Sequence, residues 1–419
     1  MKKLLLALVV LVAAAGLAAA GAEGEAAQAE DVTVTMYKWG LPAGQEDWSE
    51  LEGLIAAATG VDVDMIQAPS FTDYQTKVAT LLSSGDTSID LFDIDEYITY
   101  GNILGGFFEP LNDLFSADDL AAFPKTYMDE MATYEGNIVG VPHGFSWFPM
   151  YLNKRQLDEA GLALPTTGDD YLEAIQALTK DDVFGFGDGW TKGYITNFLQ
   201  YIIYVHGGDY FDWENAGTQE AIKLMHDLIN TYEVAPRAIL ADDYGALAQK
   251  LLDGKLASTI TWDWIVSVAV GQGKYGSELI VAETPKWSDD PDSDITLMGA
   301  WLYVLTTASE RKDAAKKVLG YLLSEEAGSA VAKMVGNAVP LRSDSLEDPV
   351  FNDPAKWPAV PILKDMNARD KLWPRPMAGR MSDILDSTEN SLYEYLNQNI
   401  DRDEAVKRAN REIDRLLRR

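Results

Sequence analysis

The sequence predicts an α/β fold built on a doubly wound parallel sheet, and two patterns indicate it. Short runs of alternating or continuous apolar residues occur at 32–36, 61–68 and 89–95, as in strands. Between them, 45–58 and 74–82 carry apolar residues at helical spacing. Strand and helix therefore alternate, which is typical of a parallel sheet covered by helices.

Each of the first elements has a reason in the sequence. The first helix places Leu51, Leu54 and Ile55 on one face. Gly60 ends it, because glycine readily adopts the left-handed conformation found after helix C-termini. The second helix ends near Gly85. Its apolar residues are Tyr74, Val78, Leu81 and Leu82.

A new set of helices is predicted after GNIVGVP (136–142), which reads as a turn followed by a short strand. Residues 257–267 and 278–284 read as strands, and the last helix begins at Asp401 with Glu404 completing a capping box. Further helices are predicted around 172–178, 221–232, 315–322 and 327–334.

The N-terminus has the pattern of a secretory signal peptide, assigned to residues 1–22. Lys2 and Lys3 precede an apolar run that is too short for a confident membrane-spanning helix. The chain has no cysteine, so it has neither disulfides nor a lipid-anchoring cysteine. We expect an exported, free periplasmic protein.

Charge and composition exclude several classes of function. The net charge of −32, from 34 basic and 66 acidic residues, disfavours nucleic acid and anionic lipid as partners. Three histidines far apart and no thiols predict no metal site. The glycine-rich GFGDGW (185–190) lacks the Gly-Lys-Ser/Thr ending of a phosphate loop, and no nucleophile motif is present. We expect no cofactor and no catalysis.

Several stretches, in order, resemble the extracellular sugar-binding proteins of ABC importers, sugar-binding family 1 of the maltose-binding type. One is TDYQTKVATLLSSGDTSIDLFDID (72–95), and the longest is GNIVGVPHGFSWFPMYLNKRQLDEAGLALPTT (136–167). The others are LLDGKLASTITWDW (251–264) and ASERKDAAKKVLGYLLSEEAG (308–328). One departure is Met150-Tyr151-Leu152-Asn153-Lys154, where many members have Tyr-Tyr-Asn-Lys, so the local register can differ by one residue.

The resemblance implies a two-lobe, type II clamshell fold, in which each lobe is a sheet flanked by helices and several crossings join the lobes. It assigns 31–140 and 299–338 to the N-terminal lobe, and 141–298 and 339–419 to the C-terminal lobe. It also implies a monomer that captures a mono- or oligosaccharide by lobe closure and delivers it to the transmembrane subunits of a permease.

Aromatic and acidic residues at strand ends form the candidate site. Sugars offer apolar C–H faces to aromatic rings and hydroxyls to carboxylates, and ligands of α/β sheets bind beyond the carboxyl ends of strands. Trp39 follows the first strand, Asp95 and Glu96 end the third, Trp147 lies past the first crossing, and Trp190 lies in the glycine-rich loop.

The segment Trp262-Asp263-Trp264 adds two rings and a carboxylate. If it is extended, both indoles share one face and Asp263 points to the other. A turn beginning at Asp263 would instead send only one indole into the cleft. The resemblance adds Trp301 at the second crossing. It also adds Arg375 and Arg380, in a loop that faces the cleft.

Two other functions compete with carbohydrate binding. Carboxylates among aromatic rings also suit a polyamine or another cation. A secreted carbohydrate-active hydrolase needs two carboxyls facing one bond, about 5–9 Å apart. Asp95 and Glu96 are adjacent on a strand, so their side chains diverge and make a poor catalytic pair.

Overall fold

The computed structural model describes residues 32–40, 47–69, 71–95, 101–103, 105–335 and 339–418. The predicted signal peptide at 1–22 and the candidate residue Glu96 lie outside these ranges. Within them, no helix has the length and apolar character needed to cross a membrane.

The first sheet confirms the predicted strand–helix alternation. Strands β1 (Thr33–Lys38), β2 (Asp62–Gln67) and β3 (Leu91–Asp95) are parallel, with β1 between the other two. Helices α1 (Ser49–Thr59) and α2 (Phe71–Ser84) connect them. As predicted, α1 ends at Gly60, in the left-handed conformation with φ 69°.

Two later strands extend this sheet and connect it with the rest of the chain. Strand β10 (Thr296–Leu305) pairs antiparallel with β3 and with β6 (Val141–Trp147), and parallel with β11 (Leu372–Pro374). The sheet order is β2, β1, β3, β10, β11, and β6 also pairs with β10. The β6–β10 register shifts between Gly299 and Trp301.

A second sheet has β7 (Met150–Asn153) between β8 (Ser258–Ile260) and β9 (Leu279–Ala282). The predicted strand at 278–284 is therefore confirmed. The prediction of one strand over 257–267 was wrong, because β8 stops at Ile260 and a helix, α10 (Ile265–Gly271), follows. Ile265, Val266 and Ala269 face the interior, and such a short apolar run looks alike in a strand and a buried helix.

The other elements complete the layers around the two sheets. The last helix begins at Asp401 as predicted, since the Asp401 carboxylate accepts a hydrogen bond from the Glu404 amide at 2.8 Å. The Glu404 carboxylate pairs with Arg408 instead of completing the predicted capping box. The remaining elements are α3 (Ala117–Ala122), α4 (Lys125–Tyr127), β4 (Thr133–Tyr134), β5 (Asn137–Ile138), α5 (Lys154–Ala160), α6 (Gly168–Leu178), α7 (Ile195–Val205), α8 (Ala216–Asn230), α9 (Tyr244–Leu252), α11 (Lys312–Leu322), α12 (Glu325–Val335), α13 (Val360–Ala368), α14 (Met381–Leu396) and α15 (Arg402–Leu417).

The buried apolar residues form two cores. One covers the first sheet and continues into α9, α10 and strands β7 and β9, and the other centres on helices α6, α7, α8, α14 and α15. The lobe limits themselves stay a prediction. Arg342, assigned to the C-terminal lobe, bonds instead to Asp119 and to the Leu323 carbonyl, both at 2.9 Å. These contacts favour a last crossing further along the chain than residue 339.

Candidate functional site

An aromatic and acidic cluster lies at the end of β3, and we call Tyr37, Tyr74, Asp95 and Trp301 the first-lobe wall. Trp301 lies opposite Asp95 in the β3–β10 ladder. The Tyr74 ring is 5.9 Å from Trp301 and stacks on Tyr37 at 5.7 Å. Tyr37, Tyr74 and Asp95 are buried, so Trp301, which is half-buried, carries the exposed area of this wall. A carboxylate and an indole therefore lie side by side, and their contact with a ligand stays a prediction.

Burial disfavours ionisation of the Tyr74 hydroxyl in this wall. It raises the pKa of Tyr74 well above its ordinary value, and the negative charges of Asp93 and Asp95 add to the effect. The Tyr74 hydroxyl also donates a hydrogen bond to the Asp93 carbonyl. Tyr74 is therefore a neutral, fixed ring rather than a titrating group.

A second surface forms beyond β8, and we call Trp262, Trp264, Asn197, Tyr244 and Arg375 the second-lobe wall. The Arg375 guanidinium lies over the Trp262 ring, 5.4 Å from its centroid. Asn197 accepts a hydrogen bond from Arg375 at 3.4 Å and donates one to the Tyr244 hydroxyl at 2.9 Å. The Tyr244 ring is 6.4 Å from Trp264. This wall combines ring faces with an ordered row of polar groups.

The two walls are linked by the crossing strands. On β6 and β10, Trp147 pairs with Met298, and the next amide, of Phe148, donates to the Leu297 carbonyl at 3.1 Å. The Phe148 ring contacts Trp262 edge-on at 4.8 Å.

The turn at 263–264 decides between the two interpretations of Trp262-Asp263-Trp264. The extended alternative is wrong. Trp262 packs against the second-lobe core, whereas Trp264 packs against the other core and begins α10. Both indoles are half-buried, so each ring has exposed area that a ligand can contact.

Asp263 lies beneath this surface, with only 3% of its area exposed. Burial raises the pKa of its carboxyl well above the usual range, although hydrogen bonds from the Ser146 side chain and the Trp147 amide act against this. Its Oδ2 atom has no hydrogen-bond partner among the described residues. Burial therefore favours the neutral form of Asp263, which packs on β6. Its predicted role as a ligand contact is not supported by this placement.

Two of the predicted tryptophans are fully buried. Trp147 has no exposed area, and its Nε1 has no partner among the described residues. Trp190 packs between Phe186 and Phe198, at 5.7 and 5.4 Å, and its Nε1 donates to Asp188. Both rings fill cores, so their predicted contact with ligand stays a prediction that the observed burial does not favour.

The remaining candidates lie apart from one another. Trp39 is half-buried after β1 and packs on the first core. Arg380 is exposed at the start of α14, where it pairs with Asp383 and joins neither wall. No cluster of metal-ligating side chains occurs in the described ranges.

Sequence reasoning missed Tyr37, Tyr74, Asn197 and Tyr244. Tyr74 was assigned only to a helical face. Asn197 and Tyr244 lie near the starts of α7 and α9, and only the folded chain brings them together. The Asp243 side chain caps α9 by accepting a hydrogen bond from the Ala246 amide. This aspartate is a sequence signal for the start of a helix but not for a binding site.

A buried ionic network lies near the first-lobe wall. Lys38 and His143 both contact the Asp93 carboxylate, and the His143 Nε2 distance is 2.6 Å. Burial alone would raise the pKa of Asp93, but His143 and Lys38 outweigh it and hold the pKa low. Burial lowers the pKa of Lys38 and of His143. These groups tie β1, β3 and β6 together.

The two sheets and the crossing strands β6 and β10 define a two-lobe α/β protein. The sequence pattern of the bacterial extracellular solute-binding protein family matches residues 42–329, and the chain belongs to that family. The family places the protein in the periplasmic or extracellular space.

Curated relatives are similar over about two thirds of their lengths. A probable amino-acid ABC transporter periplasmic-binding protein of Sinorhizobium fredii is 26% identical over 70% of this chain and 68% of its own. The arabinooligosaccharide-binding protein of Halalkalibacterium halodurans is 27% identical over 68% and 65%. The lactose-binding protein of Rhizobium radiobacter is 24% identical over 61% of each.

Solved structures confirm the two-lobe fold. Maltose-bound MalE3 of T. maritima superposes with a TM-score of 0.79 at 22% identity, covering 92% of this chain and 100% of that one. A solute-binding protein of Thermotoga lettingae bound to α-D-tagatose gives 0.80 at 22% identity, with the same coverage.

Proposed function

We propose that this protein captures a neutral carbohydrate between the first-lobe and second-lobe walls and delivers it to the permease of an ABC importer. The observation that carries the proposal is the pairing of half-buried indoles with fixed polar groups on both walls. Trp301 is beside Asp95 on one wall, and Trp262 is beside Arg375 and Asn197 on the other. Indole faces suit the C–H faces of a sugar, and the polar groups suit its hydroxyls.

The named ligands of similar proteins support this chemistry. The curated relatives include binding proteins for arabinooligosaccharides and lactose, and the similar structures hold maltose and tagatose. The Arg375 guanidinium in the second-lobe wall disfavours the cationic alternative, because a polyamine would meet a like charge beside Trp262.

The mechanism is capture without reaction. Contacts made to both walls at once stabilise a closed arrangement of the lobes, and the permease recognises that arrangement through the rims of both lobes. The protein acts as a monomer that is free in the periplasm after its signal peptide is removed.

A thermal-shift screen followed by calorimetry tests the proposal. The panel is maltose, maltotriose, lactose, arabinooligosaccharides, tagatose and mannitol, with spermidine and amino acids as rivals. At least one neutral sugar should raise the unfolding temperature and bind with an affinity that salt hardly changes, because no ionic contact is screened. Stabilisation by spermidine alone, weakened by salt, would support the cationic alternative, and release of smaller sugars would support the hydrolase.

A further inference from the structure

The crossing strand β6 changes register with β10 immediately beside Trp301. On one side of the shift, His143 lies opposite Trp301. On the other side, Ser146 lies opposite Gly299, so two residues of β6 stand against one of β10 in between. Gly144, the first of the two, has φ 59°, in the left-handed region. A glycine in this conformation is typical of a β-bulge at which the longer strand bends. His143 is therefore the last paired residue of β6 on the first-lobe side of the bend.

His143 is held there by contacts outside the bulge, with Lys38, Asp93 and Tyr303, and we call these four residues the Asp93 network. The His143 and Tyr303 rings stack with their centroids 3.6 Å apart and their planes 5° from parallel. The His143 Nε2 atom is 2.6 Å from Oδ1 of Asp93, and the Lys38 ammonium pairs with the other oxygen of that carboxylate. Lys38 also donates a hydrogen bond to the Tyr303 hydroxyl at 3.3 Å. A buried network bonded in this way holds its members in one arrangement.

The Asp93 network shares one face of the first sheet with Trp301. Residues paired across neighbouring strands project on the same face, and so do residues two positions apart on one strand. Trp301 is two positions from Tyr303 on β10 and is paired with His143 on β6. On its other side it is paired with Asp95, which is two positions from Asp93 on β3. The half-buried indole therefore has members of the network as neighbours along its own strand and across on β6.

We propose that His143 is a positioning residue for carbohydrate binding. Through Asp93 and Tyr303 it anchors β6 on the first-lobe side of the bulge, so that Trp301 keeps its place beside Asp95 when the lobes move. The bend at Gly144 takes up the change of direction of the crossing strand. The inference rests on the proposed function, because Trp301 is the exposed ring of the proposed ligand surface in the first lobe.

The test compares two replacements that separate the ring of His143 from its hydrogen bond. His143→Phe keeps a ring that can stack on Tyr303 but leaves Oδ1 of Asp93 without this partner. His143→Gln loses the ring, while its side-chain amide can donate to the Asp93 carboxylate in place of Nε2. If the Asp93 contact anchors the strand, glutamine should replace histidine better than phenylalanine does.

His226→Phe is the matched control. His226 also stacks on a tyrosine ring, that of Tyr395, with centroids 4.7 Å apart and planes 17° from parallel. It also contacts a carboxylate, with its Nδ1 atom 3.4 Å from Asp227. It lies on α8 and belongs to neither wall. Its replacement removes the same kind of contacts without touching the proposed ligand surface.

Calorimetry uses whichever sugar of the panel binds wild type, at a temperature where every variant is folded. His143→Phe should bind about fivefold more weakly than wild type, whereas His143→Gln and His226→Phe should stay within about twofold. In a Trp301→Ala background, His143→Phe should change the affinity by less than about twofold, because its effect passes through that ring. Wild-type affinity in His143→Phe, weaker binding by His143→Gln than by His143→Phe, or an undiminished loss in the Trp301→Ala background would overturn the proposal.

Tyr303→Phe provides the same comparison if His143→Phe does not fold. It removes only the hydroxyl that closes the Asp93 network and keeps the ring that stacks on His143. Its affinity should fall about threefold, and this loss should disappear in the Trp301→Ala background. The control is Tyr210→Phe, which removes an equally buried hydroxyl that bonds to Thr388 at 2.8 Å. Equal affinities of Tyr303→Phe and Tyr210→Phe would count against the proposal.

A ligand-free measurement keeps this test separate from the proposed function. In protein labelled with fluorotryptophan, the fluorine resonance of Trp301 is identified by its loss in Trp301→Phe. Its relaxation by a soluble paramagnetic chelate reports how exposed the ring is. Relaxation should be faster in His143→Phe, or in Tyr303→Phe in its place, than in wild type, and unchanged in His226→Phe. Equal relaxation in all of these proteins would refute the anchoring. If wild type bound no sugar, the proposed function would fail while this result still decided the inference.

Discussion

Replacing Trp262 by alanine should separate ligand binding from stability. In the unliganded protein the indole contacts the Phe148 ring at 4.8 Å, nearly perpendicular at 84°, and carries the Arg375 guanidinium at 5.4 Å. Each such contact contributes about 0.5–1.5 kcal/mol. Losing both, together with the apolar area of a half-buried ring, should lower the free energy of unfolding by about 2–3 kcal/mol.

The loss of affinity has a different origin. A ring that stacks on a sugar face contributes about 1–3 kcal/mol to binding, so Trp262→Ala should weaken binding about tenfold or more. Calorimetric titration with the sugar that binds wild type measures this, at a temperature where circular dichroism shows the variant folded.

Trp357 provides a matched control. It is also half-buried, and it contacts the Phe351 ring edge-on at 4.8 Å and 75°. Trp357→Ala should therefore lose stability comparably but retain wild-type affinity. Unchanged affinity in Trp262→Ala, or an equal loss in both variants, would refute the assignment of Trp262 to the ligand surface.

Three further predictions concern the first-lobe wall and two buried acids. Trp301→Ala should weaken sugar binding about tenfold by calorimetry while its salt dependence stays small; wild-type affinity would remove the first-lobe wall from the site. Asp263, whose pKa is raised, contributes stability that is fully present below its unfolded pKa and lost as the pH rises through its folded value. Asp263→Asn should therefore gain stability relative to wild type in urea unfolding as the pH rises above about 4, the pKa of an aspartate in the unfolded chain; a parallel pH dependence in both proteins would contradict this. Asp93→Ala leaves the buried Lys38 without its carboxylate and should cost about 3–5 kcal/mol by the same assay, whereas Asp383→Ala, which breaks an exposed pair, should cost less than about 1 kcal/mol.

Local periodicity was enough to predict much of the fold. Strands β1 to β3 and the helices between them follow from alternation, helical spacing and the stop at Gly60, because each of these signals lies within one element. The strand prediction for the segment after β8 was wrong, because Ile265 and Val266 are apolar as parts of a buried helix. Hydrophobicity alone does not distinguish that helix from a strand.

The site was less accessible to sequence reasoning. Residue type and position drew attention to Trp262 and Arg375, but their contact depends on chain segments far apart. The bond from Arg375 to Asn197 joins residues 178 positions apart, so no local pattern contains it. Residue type also misdirected attention to Trp190, because a tryptophan suits a core as well as a ligand surface.

Small-angle scattering with and without the bound sugar tests the central claim of capture between two walls. Binding should reduce the radius of gyration of wild type. At a sugar concentration that saturates wild type but not Trp262→Ala, the radius of gyration of the variant should stay close to its value without sugar. A wild-type profile that is unchanged at calorimetrically verified saturation would contradict capture by lobe closure.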